Sequence, residues 1–476
     1  MKALVKGLYF EHFYKSLLLR TYINSKLIFK QQTILFKNFS VEALSVFTDK
    51  QHKKHLLNYF CRKIVTQINS ENNILIQVLI LKEFCKGNIS IGTPLVVNAT
   101  KSDLNINIAT KVNIKGRGYK QNKKSKPFKN IESDESDIHL TNLSLRSRFS
   151  LYQTRFRIRS KLKSLLHKYF HENDYIEVDT PILSRYLRNF HQKTFYVEPT
   201  VYENGVDPVN SFFGDPVYLS TCGQIHMECI TSALSKVYSI KPIFRRAEKT
   251  GKTLYEFWKA DCEELYTEER RRDAFENMLR NLEKLLKHLM KSILDSHLSE
   301  MELSKEGEKV VTNALDKKWI ILPYSEAMAI LLDNNEKVTY PVEYGMDFGV
   351  QCYKLFPKNF DGSPVFITDY PYYRKGFNVS ACEDSINVFA FDLIFPRGIE
   401  VANGSIKEHD FNILEQNLKE YGALEYYDWF ANMRKWGVGP TRGYSIGIER
   451  FLYFMFNDSN VKNVIPFPRY NRSCVC

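Results

Sequence analysis

Arg450 follows Glu449 in the run GYSIGIERFLYF, Gly443 to Phe454. Its guanidinium cannot lose its proton and presents a planar fork of donors suited to phosphate. Gly443 and Gly447, just before it, let a ligand approach the backbone closely. Upstream, FRRAEKTGKTLYEFW (Phe244 to Trp258) sets Arg246 two residues before the acid Glu248. A short polar loop and a returning aromatic strand with Phe257 follow, and such a hairpin can hold a nucleoside triphosphate. FDLIFPRGIE carries two acids, Asp392 and Glu400, eight residues apart. Hard carboxylate oxygens of this kind take magnesium together with phosphate and water. TCGQIHMECI supplies Gln224 and Glu228. Glu228 can accept a hydrogen bond from an amide NH2 and would repel a carboxylate.

The two arginine-bearing segments together resemble motifs 2 and 3 of the class II aminoacyl-tRNA synthetases. The tail VIPFPR, Val464 to Arg469, looks like the asparaginyl branch of that family. The resemblance implies an α+β fold, an antiparallel sheet flanked by helices and preceded by a small OB-type β-barrel. It implies an asparagine–tRNA ligase that uses ATP and Mg2+. Arg246 takes the role of the α-phosphate and carboxylate ligand, chosen over Arg245 because its spacing to Glu248 fits. Phe257 stacks on adenine opposite Arg450, and Gly447 borders the same ATP site. The resemblance implies Asp392 and Glu400 as the residues that hold the metal. Gln224 meets the α-ammonium group, and Lys407 stands where the family grips the side-chain carbonyl with an arginine. The aspartyl branch has a lysine where this chain has Met227. Three departures stand out. The loop SRYLRNFHQKTF, Ser184 to Phe195, lacks an acid; the loop after Glu248 is short; and Asn403 precedes Gly404 where the family has two glycines. Three other readings remain: aspartyl specificity, an RNA-binding paralogue without catalysis, and an ATP-dependent amidation enzyme such as an asparagine synthetase.

These residues need elements to position them. Ile158, Leu162, Leu165, Leu166, Tyr169 and Phe170 recur at helical spacing and predict a helix from about Thr154 to Asn173. It leads into the extended run DYIEVDTPIL, stopped by Pro181. This resembles motif 1, which implies a homodimer through the face of Leu162, Leu166 and Tyr169. Glu276 to Leu298 predicts a second helix on the outer face of the sheet, and Tyr340 to Glu400 reads as alternating strands and loops. The catalytic unit spans residues 139–476. Residues 41–114 hold short strand-like runs, among them NNILIQVLIL, TPLVVNAT and NINIATKVNI. With the family's implication, they read as an OB-fold anticodon-binding domain.

Residues 115–138 form a charged linker, with seven bases from Lys115 to Lys129 and then Glu132, Asp134, Glu135 and Asp137. Contact with tRNA(Asn) phosphates is one reading of it. The first 40 residues hold seven bases and one acid, Glu11. That balance predicts an organellar presequence, with a basic RNA-contacting arm or a cytoplasmic protein as alternatives. A net charge of +13 favours a polyanionic partner. Nine cysteines without a Cys-x-x-Cys pair argue against a zinc knuckle. No run approaches roughly 18 apolar residues, so no membrane span is expected.

Overall fold

The structure is a computed structural model. It describes residues 143–147, 149–185, 194–198, 213–246, 253–471 and 473–474, with the backbone of four earlier strands. The chain divides into two compact units, Met1–Asp134 and Glu135–Cys476. In the first, β1 (Cys61–Ile68), β2 (Leu75–Leu81), β3 (Leu95–Lys101) and β4 (Asn107–Ile114) form a sheet in the order β1-β2-β4-β3. The three apolar runs named above coincide with β2, β3 and β4. Among the described residues four strands are present, and no pairing of β1 with β3 closes them. The presequence and linker readings fall outside the described residues.

The second unit is built on eight strands in the order β10-β11-β12-β13-β14-β9-β8-β5. These are β5 (Ile176–Glu177), β8 (Lys236–Phe244), β9 (Glu256–Leu265), β10 (Ile320–Pro323), β11 (Val365–Pro371), β12 (Asn387–Phe395), β13 (Ile399–Ile406) and β14 (Thr441–Gly447). The central pairs are antiparallel; only the edge pairs β10–β11 and β5–β8 are parallel. A small ladder, β6 (Leu183–Ser184) with β7 (Tyr218–Leu219), lies apart. The helices are α1 (Leu143–Arg146), α2 (Ser150–Glu172), α3 (Gln224–Leu234), α4 (Arg271–His297), α5 (Lys305–Asp316), α6 (Tyr324–Asp333), α7 (Val350–Asn359), α8 (Phe411–Glu420), α9 (Leu424–Asn432) and α10 (Ile448–Met455).

α2 and α4 cover one face of the sheet. On α4, Leu282, Leu285, Leu286, Leu289 and Ile293 follow helical spacing and are fully buried. The opposite side carries the i,i+4 pairs Glu276–Arg280, Glu283–Lys287 and Lys291–Asp295. The helix begins a turn before the predicted start, because Ala274 and Phe275 already belong to the apolar stripe. Asp273 in the first turn favours that end of the helix dipole. On α2, Ile158, Leu162, Leu166 and Phe170 join the same core. Replacing one such leucine by alanine costs about 2–5 kcal/mol. Of the motif 1 face, Leu162 and Leu166 are buried within one molecule, while Tyr169 packs partly buried against the same core. That corrects the expectation that the two leucines meet a second subunit. Residues Tyr340 to Glu400 also contain a helix the strand reading missed. Cys352 and Phe356, one helical turn apart on α7, are buried against β11 and β12 residues.

Candidate active site

β8 and β9 form a hairpin in which Ile243 pairs with Phe257 and Phe244 with Glu256. Side chains alternate along a strand. Tyr238, Ala260 and Cys262 point into the helix-covered core. The intervening positions face the other way, into a cleft of about 550 Å3 whose lining includes Arg245 and Lys259. That parity sets the two arginines on opposite faces. Arg245 lines the cleft, whereas the predicted Arg246 is exposed and does not. Spacing to Glu248 pointed to Arg246, but the position on the strand sets the direction of the side chain. Glu248 itself lies outside the described residues, as does the rest of the hairpin tip, 247–252.

The cleft's other side comes from β12, β13 and the turn after β11. Asp392 lines it and pairs with Asn403 across β12–β13. Lys375 Nζ lies 2.9 Å from Asp392 Oδ2. Glu400, nearby on β13, accepts from Asn403 Nδ2 at 3.0 Å and pairs with Arg450 at 2.9 Å. Burial works against ionisation of Glu400, yet Arg450 and the Asn403 amide hold its carboxyl down at about 2. Burial pushes the Lys259 ammonium below its ordinary value, Asp261 pulls it back, and Arg245 adds to the push. Among the described residues no three His, Cys, Asp or Glu side chains gather around a metal position. Two carboxylates on adjacent strands still supply the oxygen donors that magnesium prefers when phosphates complete its shell.

α10 sets the place of Arg450. Glu449 is buried; it accepts from the Trp258 backbone N–H at 2.8 Å and pairs with Arg159 at 2.6 Å. This joint fastens the first turn of α10 to β9, so Phe257 and Arg450 flank one connection. They make no ring–guanidinium contact with each other among the described residues. Gly447 caps α10, and a Cβ there would meet nothing nearer than 3.6 Å, so the protein's own packing does not demand glycine. Gly443 differs. A Cβ there would press on Glu263 and come within 2.5 Å of the Cys262 carbonyl. It serves strand packing, not ligand approach as the sequence implied.

At the inner end, Gln224 starts α3 and lines the cleft beside Thr221, Cys222 and Ser405. Glu228, one turn further on, does not line it. Its Oε1 accepts from Asn378 Nδ2 at 2.9 Å and its Oε2 from Arg434 Nη2 at 2.7 Å. Lys407 is likewise buried below the cleft, donating to Ser405 Oγ at 2.9 Å with Glu263 4.0 Å away. In place of the expected direct pair around a ligand amide, Glu228 and Lys407 each lie outside the cleft lining with a charged partner of the protein's own.

The family model of the class II tRNA synthetases (D, K and N) matches residues 135–471. The chain belongs to this family. It is 30% identical to the asparaginyl-tRNA synthetase of Mus musculus over 70% of each chain. It is 30% identical to the asparagine–tRNA ligase of Clostridium tetani over 76% of this chain and 79% of that one. Among solved structures, asparaginyl-tRNA synthetase from Pyrococcus horikoshii with asparaginyl-adenylate superposes with a TM-score of 0.72 at 19% identity. That match covers 87% of this chain and 94% of the other. An aspartyl-tRNA synthetase from Entamoeba histolytica gives 0.62 at 18%, covering 88% and 91%. At these identities the structures show a shared fold.

Several residues of the synthetase's cleft escaped the sequence reading. Lys259 could have been found from strand parity with Phe257. Arg374 and Lys375 enter from the turn after β11, with no pattern linking them to the hairpin. Arg434 and Asn378 reach Glu228 across 206 and 150 residues of sequence, a pairing that only the fold creates.

Proposed function

We propose that the synthetase is an asparagine–tRNA ligase. A carboxylate oxygen of asparagine attacks the α-phosphorus of ATP and displaces pyrophosphate. The 3′-terminal ribose hydroxyl of tRNA(Asn) then takes the asparaginyl group and releases AMP. The observation that carries this reading is the cleft itself, where Arg245 and Lys259 face Asp392, with the Glu400–Arg450 pair close by. Fixed cations meet the phosphate charge and align the attack without reorganising during it. Asp392 and Glu400 would hold magnesium, whose chemistry is to neutralise phosphate oxygens. Phe257 and Arg450 would clamp adenine from opposite sides, which fits their lack of mutual contact.

Gln224 is proposed to meet the α-ammonium group. Glu228 and Lys407 act from beneath, setting the polarity under Gln224 and Ser405. No lysine is available at Met227, which is fully buried. A second carboxylate would therefore enter without a dedicated partner, which disfavours aspartate. The named relatives support asparagine. The four-stranded unit and the basic linker are proposed to take the anticodon arm of tRNA, and the basic, acid-poor N-terminal segment supports an organellar address. A homodimer is proposed as well.

Pyrophosphate exchange with asparagine and with aspartate tests the assignment. Exchange driven by asparagine at least a hundredfold better than by aspartate is expected. A preference for aspartate, or exchange with neither, overturns the reading in favour of aspartyl specificity or a non-catalytic paralogue.

A further inference from the structure

The acids that would receive magnesium already hold cations. Lys375 sets Nζ 2.9 Å from Asp392 Oδ2. Its ammonium lies 3.7 Å from the centre of the Tyr370 ring, and its backbone carbonyl accepts from Tyr421 Oη at 2.5 Å. The side chains of Lys375 and Asp392 are 19% and 12% exposed, so water screens the pair weakly. Glu400 is matched by Arg450 and by the Asn403 amide. Each of the two carboxylates thus already has a cationic partner. A divalent ion reaching Asp392 meets an ammonium at close range and must displace it. Free metal offers that ammonium nothing in return. A metal that arrives with a polyphosphate brings oxygens that can accept it.

We propose that Lys375 is a resident counter-cation of Asp392 that keeps free divalent metal out of the cleft and yields the carboxylate only when metal and nucleotide phosphate enter together. The proposal rests on the ATP-site reading above and adds a positioning residue to it. Its consequence is thermodynamic coupling. Nucleotide strengthens metal binding, and metal strengthens nucleotide binding by the same factor. Lys375 supplies much of that factor by penalising the state with metal alone.

Manganese is the probe, followed by electron paramagnetic resonance of the free ion in titrations of the full-length protein. Without nucleotide, Lys375→Met is expected to bind Mn2+ about tenfold or more tightly than the parent, since a like charge beside the carboxylate is gone. Lys375→Arg should bind as weakly as the parent. Adding Asp392→Asn to Lys375→Met should restore weak binding. A non-hydrolysable ATP analogue should raise Mn2+ affinity strongly in the parent and much less in Lys375→Met. Should Lys375→Met fail to give the parent's circular dichroism spectrum, Lys375→Gln makes the same charge removal. Equal Mn2+ affinity in the parent and the uncharged variant overturns the proposal, as does tight binding by Lys375→Arg. Failure of the ATP-site reading looks different: the parent then binds no Mn2+–nucleotide and performs no pyrophosphate exchange.

Discussion

Arg245 and Arg246 are adjacent in sequence and opposite in space. The Arg-x-Glu spacing selects Arg246, yet β8 alternates its side chains and only Arg245 lines the cleft. Removing one preorganised donor to a developing phosphate charge costs about 3 kcal/mol of transition-state stabilisation. Arg245→Ala should therefore slow asparagine-dependent pyrophosphate exchange by a factor on the order of 100. Arg246→Ala should stay within about fivefold of the parent, as befits an exposed side chain. The reverse ranking would return the phosphate role to Arg246. That Asp392 and Gln224 line the cleft agrees with where their segments' local spacing put them. Lys375, Arg434 and Asn378 were not legible, because their partners come from distant strands and helices. Glu228 shows the limit most plainly. Its type and position were readable, but the Arg434 guanidinium that cancels its charge was not.

At the scale of elements, the long amphipathic helices and the β8–β9 hairpin were readable because burial imposes a period. α7 was hidden because its buried residues are few, Cys352, Phe356 and Pro357, and the proline in its last turn reads as a helix breaker. How α3 meets α9 was also invisible. His226 on α3 stacks on Trp429 of α9 at 5.9 Å between ring centres. Burial, and then the Lys241 charge, push its imidazole down to about 4. The folded state therefore keeps His226 neutral where the unfolded chain, with an ordinary value near 6.5, has begun to protonate. Its contribution is complete above that ordinary value and is lost as pH falls towards 4. The loss amounts to at most about 3 kcal/mol. Chemical denaturation at pH 7 and at pH 5 should show the parent losing more stability than His226→Phe. Parallel losses would mean that this contact is silent in that window.

For the molecule as a whole, the α+β class and the catalytic unit followed from the order of three motifs, and the family match begins at residue 135. The face through which two chains would meet did not follow. Helical spacing marked Leu162 and Leu166 as a stripe but could not say whether that stripe is buried by a partner or by the chain's own sheet. The structure assigns them to the latter, beside α4. What α2 leads into remains open to a partner. Among the described residues β5 is an edge strand whose one neighbour is β8. Ile176, Ile182 and Leu183 nearby are 46%, 44% and 44% exposed. An exposed edge with apolar side chains invites pairing unless something covers it, and a second copy related by a two-fold axis is the simplest cover. Sedimentation at micromolar protein should therefore show a dimer. Ile182→Asp with Leu183→Asp should convert it to a folded monomer, since neither side chain belongs to the core. Leu162→Asp should instead unfold the chain, because it places a charge among fully buried leucines. A parent that sediments as a monomer at that concentration, or a double variant that stays dimeric, would place the contact elsewhere or remove it.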